Sequence, residues 1–457
     1  MDAEEKFRER IRYYGSCLTD IPAYRSALDE CLSQHEKSTD EQKIFLHVYA
    51  PVISMYAEWI LRDAAGRGIK RLYFLARDSR TFYIAAKKLE EKIKTGIELR
   101  YLKVSRYSIR RAEYNLPDTD LAGSICSGGM DVTFRKVLKR ADLSDEEIKH
   151  LAGLADYTGR EDRKLKYREL KLLAERLRFI PEFADYVRAH AGESYDNAVG
   201  YLKQEGLFEE IPYAIADSGW LGTMQKSISH LISAETGINK NIKGYYFGLY
   251  EIPESADPDD YICFYFRPYR DIKKKVFFDV CLFETVCSEA KGMTLGYDKT
   301  PYGFIPTESG TGNPNKEVIK DHEHLLKDFL KAYVSNISSE TDISLIKKTI
   351  YKLFKKHMSD PSIIESREYG DLKFCDDVLE NKTEPVAAGW GRDELKNNKT
   401  LTRILIKAGL LKQNASESGW PEGSIVNAGI SVRLNLFYER SYRWLMYIRK
   451  ATFSSGK

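Results

Sequence analysis

The chain of 457 residues lacks the cysteine spacing of a metal site or of a disulfide-stabilised protein. None of its seven cysteines belongs to a CxxC pair, which predicts buried or free thiols in a reducing compartment. His322 and His324 would diverge on a helix, so we expect no zinc site there. The sequence has no charged–apolar–small leader and no apolar run of about 18 residues, and we therefore expect a cytoplasmic protein with at most peripheral membrane contact.

Neither sign of charge dominates, because 71 basic residues stand against 68 acidic ones, for a net charge of +3. No basic run interleaved with aromatic residues occurs before the last helix, so we expect no nucleic-acid partner. With 43% hydrophobic and 30% charged residues, the composition is that of a globular protein that can bury a sizeable core.

Short apolar runs alternate with amphipathic segments, a pattern typical of α/β proteins. We predict a Rossmann-like fold with a mainly parallel sheet. The predicted elements are strands 71–76, 98–104, 212–216, 242–250, 261–266 and 294–298, with helices 81–91, 223–232 and 276–290.

The composition changes along the chain and predicts four regions. The segment 308–316, rich in glycine, asparagine and proline, is the best candidate for a boundary. The predicted regions are N-terminal helices at 1–67, an α/β core at 68–117 and 209–307, a helical insertion at 118–208, and a helical C-terminal region at 317–457.

Polar clusters follow three of the predicted strands. The carboxyl ends of parallel strands share one edge of a sheet, where ligands of open α/β sheets bind. If the strands are parallel neighbours, these clusters meet at one anion site. The clusters are Arg77-Asp78-Ser79-Arg80-Thr81, Ser105-Arg106, and Asp217-Ser218-Gly219-Trp220-Leu221-Gly222-Thr223.

The residue types in these clusters suit phosphate chemistry. Arginine forks bind phosphate oxygens, and a glycine-bearing turn before a helix points backbone N–H groups at an anion. Asp217 and Asp78 would hold Mg²⁺ or move a proton, and Glu284 is a third candidate catalytic carboxylate. The predicted phosphate-binding residues are Arg77, Arg80, Ser105, Arg106, Ser218, Gly219, Trp220, Gly222 and Thr223.

Each role has a structural alternative. An Asp–Ser pair before a helix is also an ordinary N-cap, and for Asp217 the two interpretations have about even weight. Arg77 and Asp78 would otherwise pair with surface groups. Trp220 is either a packing residue or a platform for a sugar or base. Glu284 lies in an otherwise apolar helix, so it is either salt-bridged or a carboxylate of the site.

The last helix of the chain is amphipathic. We expect its apolar face to pack onto the protein and its arginines to face water, with attachment to an anionic membrane surface as the alternative. The apolar face consists of Leu434, Phe437, Tyr438, Ser441, Leu445 and Ile448; the arginines are Arg433, Arg440, Arg443 and Arg449.

Several of these motifs resemble, in order, a family of bacterial predicted hydrolases of the haloacid dehalogenase superfamily. The motifs are FLARDSRTFYIAAKKL, YLKVSRYSIR, IADSGWLGTMQ with GYYFGLY, ETVCSEAKGMTLGYD and SGWPEGSI, and they span about residues 45–430. That family is linked to cell-surface polysaccharide biosynthesis and is often fused to glycosyltransferases. Its Asp-x-Asp strand is missing before residue 70, and Asp376-Asp377 does not follow an apolar strand. The chain therefore resembles the second half of the family, without the dehalogenase motif.

A looser similarity is to type I phosphoribosyltransferases, which carry an apolar strand, an acidic pair and a Thr/Gly turn opening a phosphate-binding helix. IADSGWLGT has one acid and the reversed Gly–Thr order, and FLARDSRTFYIAAKKL lies where that fold keeps its pyrophosphate loop. This resemblance implies a phosphoribosyltransferase-like fold and a phosphate-bearing ligand.

Residues and resemblance together predict a cytoplasmic enzyme of cell-surface polysaccharide biosynthesis, acting by transfer or hydrolysis on a phosphorylated sugar or nucleotide-linked substrate. Mg²⁺ is the expected cofactor. The alternative is a non-catalytic module that positions a glycosyltransferase, which would present an exposed apolar patch and no deep polar pocket.

Overall fold

The computed structural model describes residues 2–128, 132–310, 312–337, 342–374 and 383–454. In these ranges the cysteines are free thiols, as the sequence predicted, and most of them are buried. Cys375, Asp376 and Asp377 lie outside the described residues.

A parallel β-sheet with helices on both faces forms the centre of the molecule and confirms the predicted α/β class. In the described part of the chain, this sheet has five strands in the order β2-β1-β3-β4-β5, one of the common orders of doubly wound sheets. The strands are β1 (Arg71–Leu75), β2 (Glu98–Leu102), β3 (Tyr213–Trp220), β4 (Lys243–Leu249) and β5 (Tyr261–Phe266).

Alternate residues of the central strands enter two different cores. Leu72 and Phe74 of β1 join the core shared with the N-terminal helices, whereas Tyr73 and Leu75 join a second core on the opposite face. The period of two in a strand sends neighbouring side chains to opposite faces, so an apolar run such as RLYFL is buried on both sides.

The chain reverses its direction of winding between β1 and β3. Helix α5 (Arg80–Ile93) leads from β1 outward to β2, and the chain then returns to place β3 on the other side of β1. Helix α12 (Thr223–Thr236) leads on to β4. The carboxyl ends of β1 and β3 therefore border the crevice in which doubly wound sheets bind ligands.

The N-terminal helices pack on one face of the sheet. The continuous helical segment Asp40–Gly66 is the one helix among the described residues long and apolar enough to cross a membrane, and 94% of its apolar window is buried inside the protein. Its middle, Phe45–Tyr49, is a π-helical turn. The α-helices are α1 (Ala3–Cys17), α2 (Pro22–Gln34), α3 (Asp40–Ile44) and α4 (Ala50–Gly66).

The connection from β2 to β3 is helical and has a core of its own. Leu138, Leu151, Leu177 and Phe183 are among the residues that fill this separate core. The helices are α6 (Arg106–Glu113), α7 (Leu121–Ile125), α8 (Phe134–Lys139), α9 (Asp145–Leu154), α10 (Tyr167–Leu177) and α11 (Pro181–Gln204).

The segment after β5 differs in two ways from the predicted elements. The apolar helix expected over 276–290 is split at Phe277–Asp279, because Asp279 caps a new helix by accepting the Leu282 N–H at 3.0 Å. The strand expected at 294–298 forms a separate antiparallel hairpin. The elements are a 3₁₀ turn (Pro258–Asp260), α13 (Ile272–Val276), α14 (Val280–Cys287), β6 (Thr294–Thr300) and β7 (Gly303–Glu308).

Helices predominate again after residue 315. Phe329 and Leu330 of α15 belong to the core that contains the N-terminal helices and one face of the sheet. The elements are α15 (Lys316–Asn336), α16 (Ile343–His357), α17 (Ile363–Glu368), β8 (Lys373–Phe374), β9 (Glu384–Pro385), α18 (Arg392–Asn397), α19 (Thr400–Lys407), α20 (Pro421–Ala428) and α21 (Val432–Ser454).

The expected packing of α21 is wrong. The helix is attached through the opposite face, where Leu436, Glu439 and Arg443 are buried, and most of the predicted apolar face is exposed. Arg443 is paired in this orientation, since it donates to Glu439 at 3.0 Å and to Glu422 at 2.9 Å. The buried face of α21 therefore carries paired charged side chains beside Leu436.

Strand β3 is longer than predicted. It does not end before Asp217, because pairing with β4 continues to Gly219 and Trp220. Gly219 has φ = 117°, and a Cβ built on it would lie 2.4 Å from the carbonyl oxygen of Gly248. Only glycine fits this close approach of two strands.

Gly219→Ala is expected to lower the free energy of unfolding by more than about 2 kcal/mol, from backbone strain together with the clash. Urea unfolding followed by circular dichroism measures the effect. Gly153→Ala is the matched control, because this exposed helical glycine has no atom within 4 Å of a built Cβ. It should be neutral or stabilising by up to about 1 kcal/mol. Equal effects of the two substitutions would contradict the packing described for β3.

Candidate functional site

A cavity of about 370 Å³ lies at the carboxyl ends of β1, β2 and β3. The three polar clusters of the sequence all contribute to its wall, so the structure brings them together as expected for parallel neighbours. The predicted residues that line it are Arg77, Asp78, Ser105, Arg106, Asp217, Ser218, Gly219, Trp220, Gly222, Thr223 and Glu284.

The loop after β1 places Arg77 and Asp78 in the cavity wall and Arg80 outside it. Ser79 ties this loop to β3 by donating its hydroxyl to the carbonyl of Ala216 at 3.1 Å. Arg80, the first residue of α5, donates to Glu323 at 3.2 Å and is not among the cavity-lining residues. The structure therefore does not bring Arg80 to the site.

The turn after β2 supplies the N-cap residue of α6, Ser105, and a positively charged side chain, Arg106. The Ser105 hydroxyl accepts the Ser108 N–H at 3.0 Å and donates to the carbonyl of Thr294 at 2.6 Å, so it holds α6 and the hairpin together. Arg106, at the start of α6, is exposed at the cavity. Its positive charge opposes the rise in pKa that burial causes at Asp217 and Glu284.

The start of α12 is an uncapped helix N-terminus facing the cavity. Gly222 is the N-cap residue, with φ = 62° and no side-chain cap, so the alternative of an Asp217–Ser218 cap is wrong. The first turn of α12, fully described in the structure, contains no acidic residue. Thr223 and the buried Ser218 add hydroxyls to the wall. Unpaired N–H groups and the helix dipole favour an anion here.

Asp217 is a carboxylate within this wall. Its Oδ1 accepts the Ser218 N–H at 2.9 Å and the Ser79 hydroxyl at 3.4 Å. Burial, and then the negative charge of Asp78, raise the pKa of Asp217 to about 7. The group can therefore bind or release a proton near neutral pH, which a general acid or base requires.

Trp220 and Glu284 form a hydrogen-bonded pair in the cavity wall. The Trp220 indole packs 5.3 Å from the ring of Phe278 and donates its Nε1–H to Glu284 Oε1 at 2.5 Å. Trp220 is thus a packing residue that also lines the cavity, and Glu284 is a cavity carboxylate rather than a salt-bridged one. Burial and the charge of Asp78 raise the pKa of Glu284 well above its ordinary value.

Residues of the segment expected to be a boundary also line the cavity. Asn313 is buried and donates to the carbonyl of Glu289 at 3.0 Å, and Asn315 donates to the carbonyl of Lys373 at 2.7 Å. Gly312 and Pro314 complete this part of the wall. The sequence contains a sign of this role, because asparagines in a turn rich in glycine and proline can also make the side-chain hydrogen bonds of an ordered loop.

The predicted Mg²⁺ ligands Asp217 and Asp78 both lie in the cavity wall. Among the described residues, no group of three or more His, Cys, Asp or Glu side chains is arranged to hold a metal ion. Mg²⁺ commonly takes one or two carboxylates and completes its shell with water and substrate phosphates. The two aspartates fit that kind of site, in which substrate and metal bind together.

Comparison with known proteins assigns this chain to no family. No protein-family model and no curated protein sequence matches it. The resemblances to predicted hydrolases and to phosphoribosyltransferases therefore stay predictions.

The raised pKa of Asp217 predicts a pH-dependent stability. A carboxyl whose pKa rises from 3.8 to about 7 on folding stabilises the protein fully below pH 3.8, and this contribution is lost as the pH rises through 7. The free energy of unfolding of the unsubstituted protein should therefore fall between about pH 4 and pH 8 when it is measured relative to that of the Asp217→Asn variant. The fall should reach a few kcal/mol, because each tenfold change in proton affinity corresponds to about 1.4 kcal/mol.

Urea unfolding at a series of pH values measures this difference. Asp185→Asn, at an exposed position of α11, is the control and should run parallel to the unchanged protein. If the pH profile of Asp217→Asn also ran parallel to that of the unsubstituted protein, Asp217 would be ionised like a surface carboxylate.

Proposed function

We propose that this protein is an enzyme that binds a phosphorylated sugar or a nucleotide-linked substrate and catalyses transfer or hydrolysis at its phosphate. The observation that carries the proposal is the convergence of two arginines, an uncapped helix N-terminus and three carboxyl groups on one cavity. The resemblance of the motifs to proteins of cell-surface polysaccharide biosynthesis suggests the pathway in which such a substrate would occur.

The cationic side of the cavity supports phosphate as the bound group. Arg77 and Arg106 come from different strand ends, and α12 adds the N–H groups of its first turn. Phosphoryl and glycosyl-phosphate transfer depend mainly on positioning and on neutralisation of charge, which guanidinium groups and backbone N–H groups supply.

The carboxyl side supports catalysis in addition to binding. Asp217 would accept the proton of an attacking hydroxyl or water when it is ionised. Glu284, held by Trp220, would remain protonated and donate to a leaving oxygen. Two carboxyl groups shifted by their surroundings are a recurrent basis for acid–base pairs. If Asp217 and Asp78 instead bound Mg²⁺, the ion would neutralise phosphate oxygens.

The alternative of a non-catalytic module rests on a different observation. The exposed apolar face of α21 is the kind of patch that such a module would use. The cavity favours an enzyme, because a positioning module has no need for arginines and proton-binding carboxyl groups gathered inside a pocket.

Arg106→Ala is expected to weaken binding of the substrate by about ten- to a hundredfold, which corresponds to one charge-assisted hydrogen bond to phosphate. Arg80→Ala should leave the affinity within about twofold, since Arg80 pairs with Glu323 outside the cavity. Isothermal titration would use the ligand found by a thermal-shift screen of sugar nucleotides, phosphoribosyl pyrophosphate and polyprenyl phosphates, with and without Mg²⁺.

The pair of variants separates a cavity ligand from general electrostatic attraction. Equal losses for Arg106→Ala and Arg80→Ala would mean that net charge alone attracts the ligand. Unchanged affinity in both Arg106→Ala and Asp217→Asn would exclude the cavity as the binding site.

A further inference from the structure

Helix α21 presents an apolar stripe to solvent. Leu434 is 49% exposed, Phe437 62%, Leu445 52% and Ile448 47%, and Trp444 at the edge is 36% exposed. On a helical wheel these positions lie on one side of the helix, with the half-buried Ser441 between Phe437 and Trp444. The stripe extends from Leu434 to Ile448, over about four turns.

The opposite face of α21 is fixed rigidly to the protein. Arg443 donates to the carbonyl of Phe278 at 3.0 Å and to Asp279 at 3.2 Å, and Glu439 accepts from Arg403 at 2.6 Å. Because the bonds of Arg443 are buried, the helix cannot rotate to hide its apolar stripe without leaving charges unpaired.

Helix α19 lies beside α21 and adds two exposed apolar side chains. The Thr400 hydroxyl donates to the carbonyl of Tyr438 at 2.8 Å and places α19 beside α21. Leu401 is 68% exposed and Ile404 is 38% exposed. The docking face defined by these two helices consists of Leu401, Ile404, Leu434, Phe437, Trp444, Leu445 and Ile448.

The exposed charged side chains of α19 and α21 themselves have one sign. On a helical wheel Arg433 and Arg449 lie on either side of the stripe, and both are exposed. Helix α19 has no acidic residue, and the one acidic residue in α21 is Glu439, which is buried. An apolar stripe flanked by exposed arginines is the pattern of helices that lie in the headgroup region of anionic bilayers.

We propose that the docking face binds the surface of an anionic lipid bilayer, with α21 in the plane of the headgroups. The charge pattern selects lipid over a second copy of the chain. Two copies joined through this face would bring together two surfaces on which the exposed charged side chains of α19 and α21 are basic, and like charges in contact are unfavourable. Anionic headgroups carry the opposite charge, and the acyl chains take up the stripe.

The proposed membrane contact does not depend on the reaction proposed for the cavity. The docking face and the cavity are nevertheless linked through contacts between α21 and α14. Arg443 binds Asp279, the residue that caps α14, and α14 carries Glu284. The docking helix therefore braces the element that forms one wall of the cavity.

Vesicle co-sedimentation of the full chain tests the proposal. We expect binding to phosphatidylcholine vesicles that contain about 30% phosphatidylglycerol, little binding to phosphatidylcholine alone, and weaker binding as salt is added. The double variant Phe437→Ser/Leu445→Ser should lose about tenfold or more in affinity. Arg433→Gln should lose about fivefold and part of the salt dependence.

The control is a double variant of two exposed apolar residues that lie outside the docking face. Phe179 is 86% exposed and Ile305 is 53% exposed, so Phe179→Ser/Ile305→Ser removes similar apolar surface and should bind vesicles like the unchanged protein. All substituted side chains are exposed, and unchanged melting temperatures would confirm that the variants are folded.

Three results would overturn the proposal. The first is no binding to anionic vesicles, and the second is binding that the control pair weakens as much as the docking-face pair. The third is a dimer in light scattering that Phe437→Ser/Leu445→Ser dissociates, which would assign the face to a second copy of the chain.

Discussion

The parallel pairing of β1 with β3 is the interaction on which the rest of the site depends. The two strands are neighbours in the sheet although a long helical connection separates them in sequence, as in the pairing of Phe74 with Ala216. This pairing aligns their carboxyl ends, and with them the starts of α5 and α12. The polar residues of both loops then lie at one crevice, where the winding of the sheet reverses. Without it, Arg77 and Ser218 would belong to unrelated surfaces.

The cavity gathers both signs of charge in one wall. Burial raises the pKa of Asp217 and of Glu284, while the guanidinium of Arg106 partly offsets this rise. Such an arrangement costs stability, because a carboxyl buried beside other carboxyls is hard to ionise. Sites that bind anions and move protons commonly carry this cost, which the large cores on both faces of the sheet can support.

Local patterns predicted elements well and their ends poorly. The strand at Tyr261–Phe266 has the predicted bounds, since an apolar run between polar residues marks a buried strand. Strand β3 extends past Asp217 because β4 offers partners, which no local pattern contains. Arg80 was grouped with Arg77 by position, yet Glu323, far away in sequence, holds it outside the cavity. The Asn313 loop was interpreted as a boundary from its composition, which does not show its hydrogen bond to Glu289, 24 residues earlier.

The sequence by itself determined the α/β class, the polar residues at three strand ends and the amphipathic character of the last helix. These properties follow from residue type and from spacing within about ten residues, the range over which helices and strands repeat. The tertiary structure alone decided which of the polar residues share a cavity and which face of α21 is buried. Such outcomes depend on contacts between distant segments, such as the bonds of Arg443 to Asp279 and Glu422, and the pattern within one helix does not contain them.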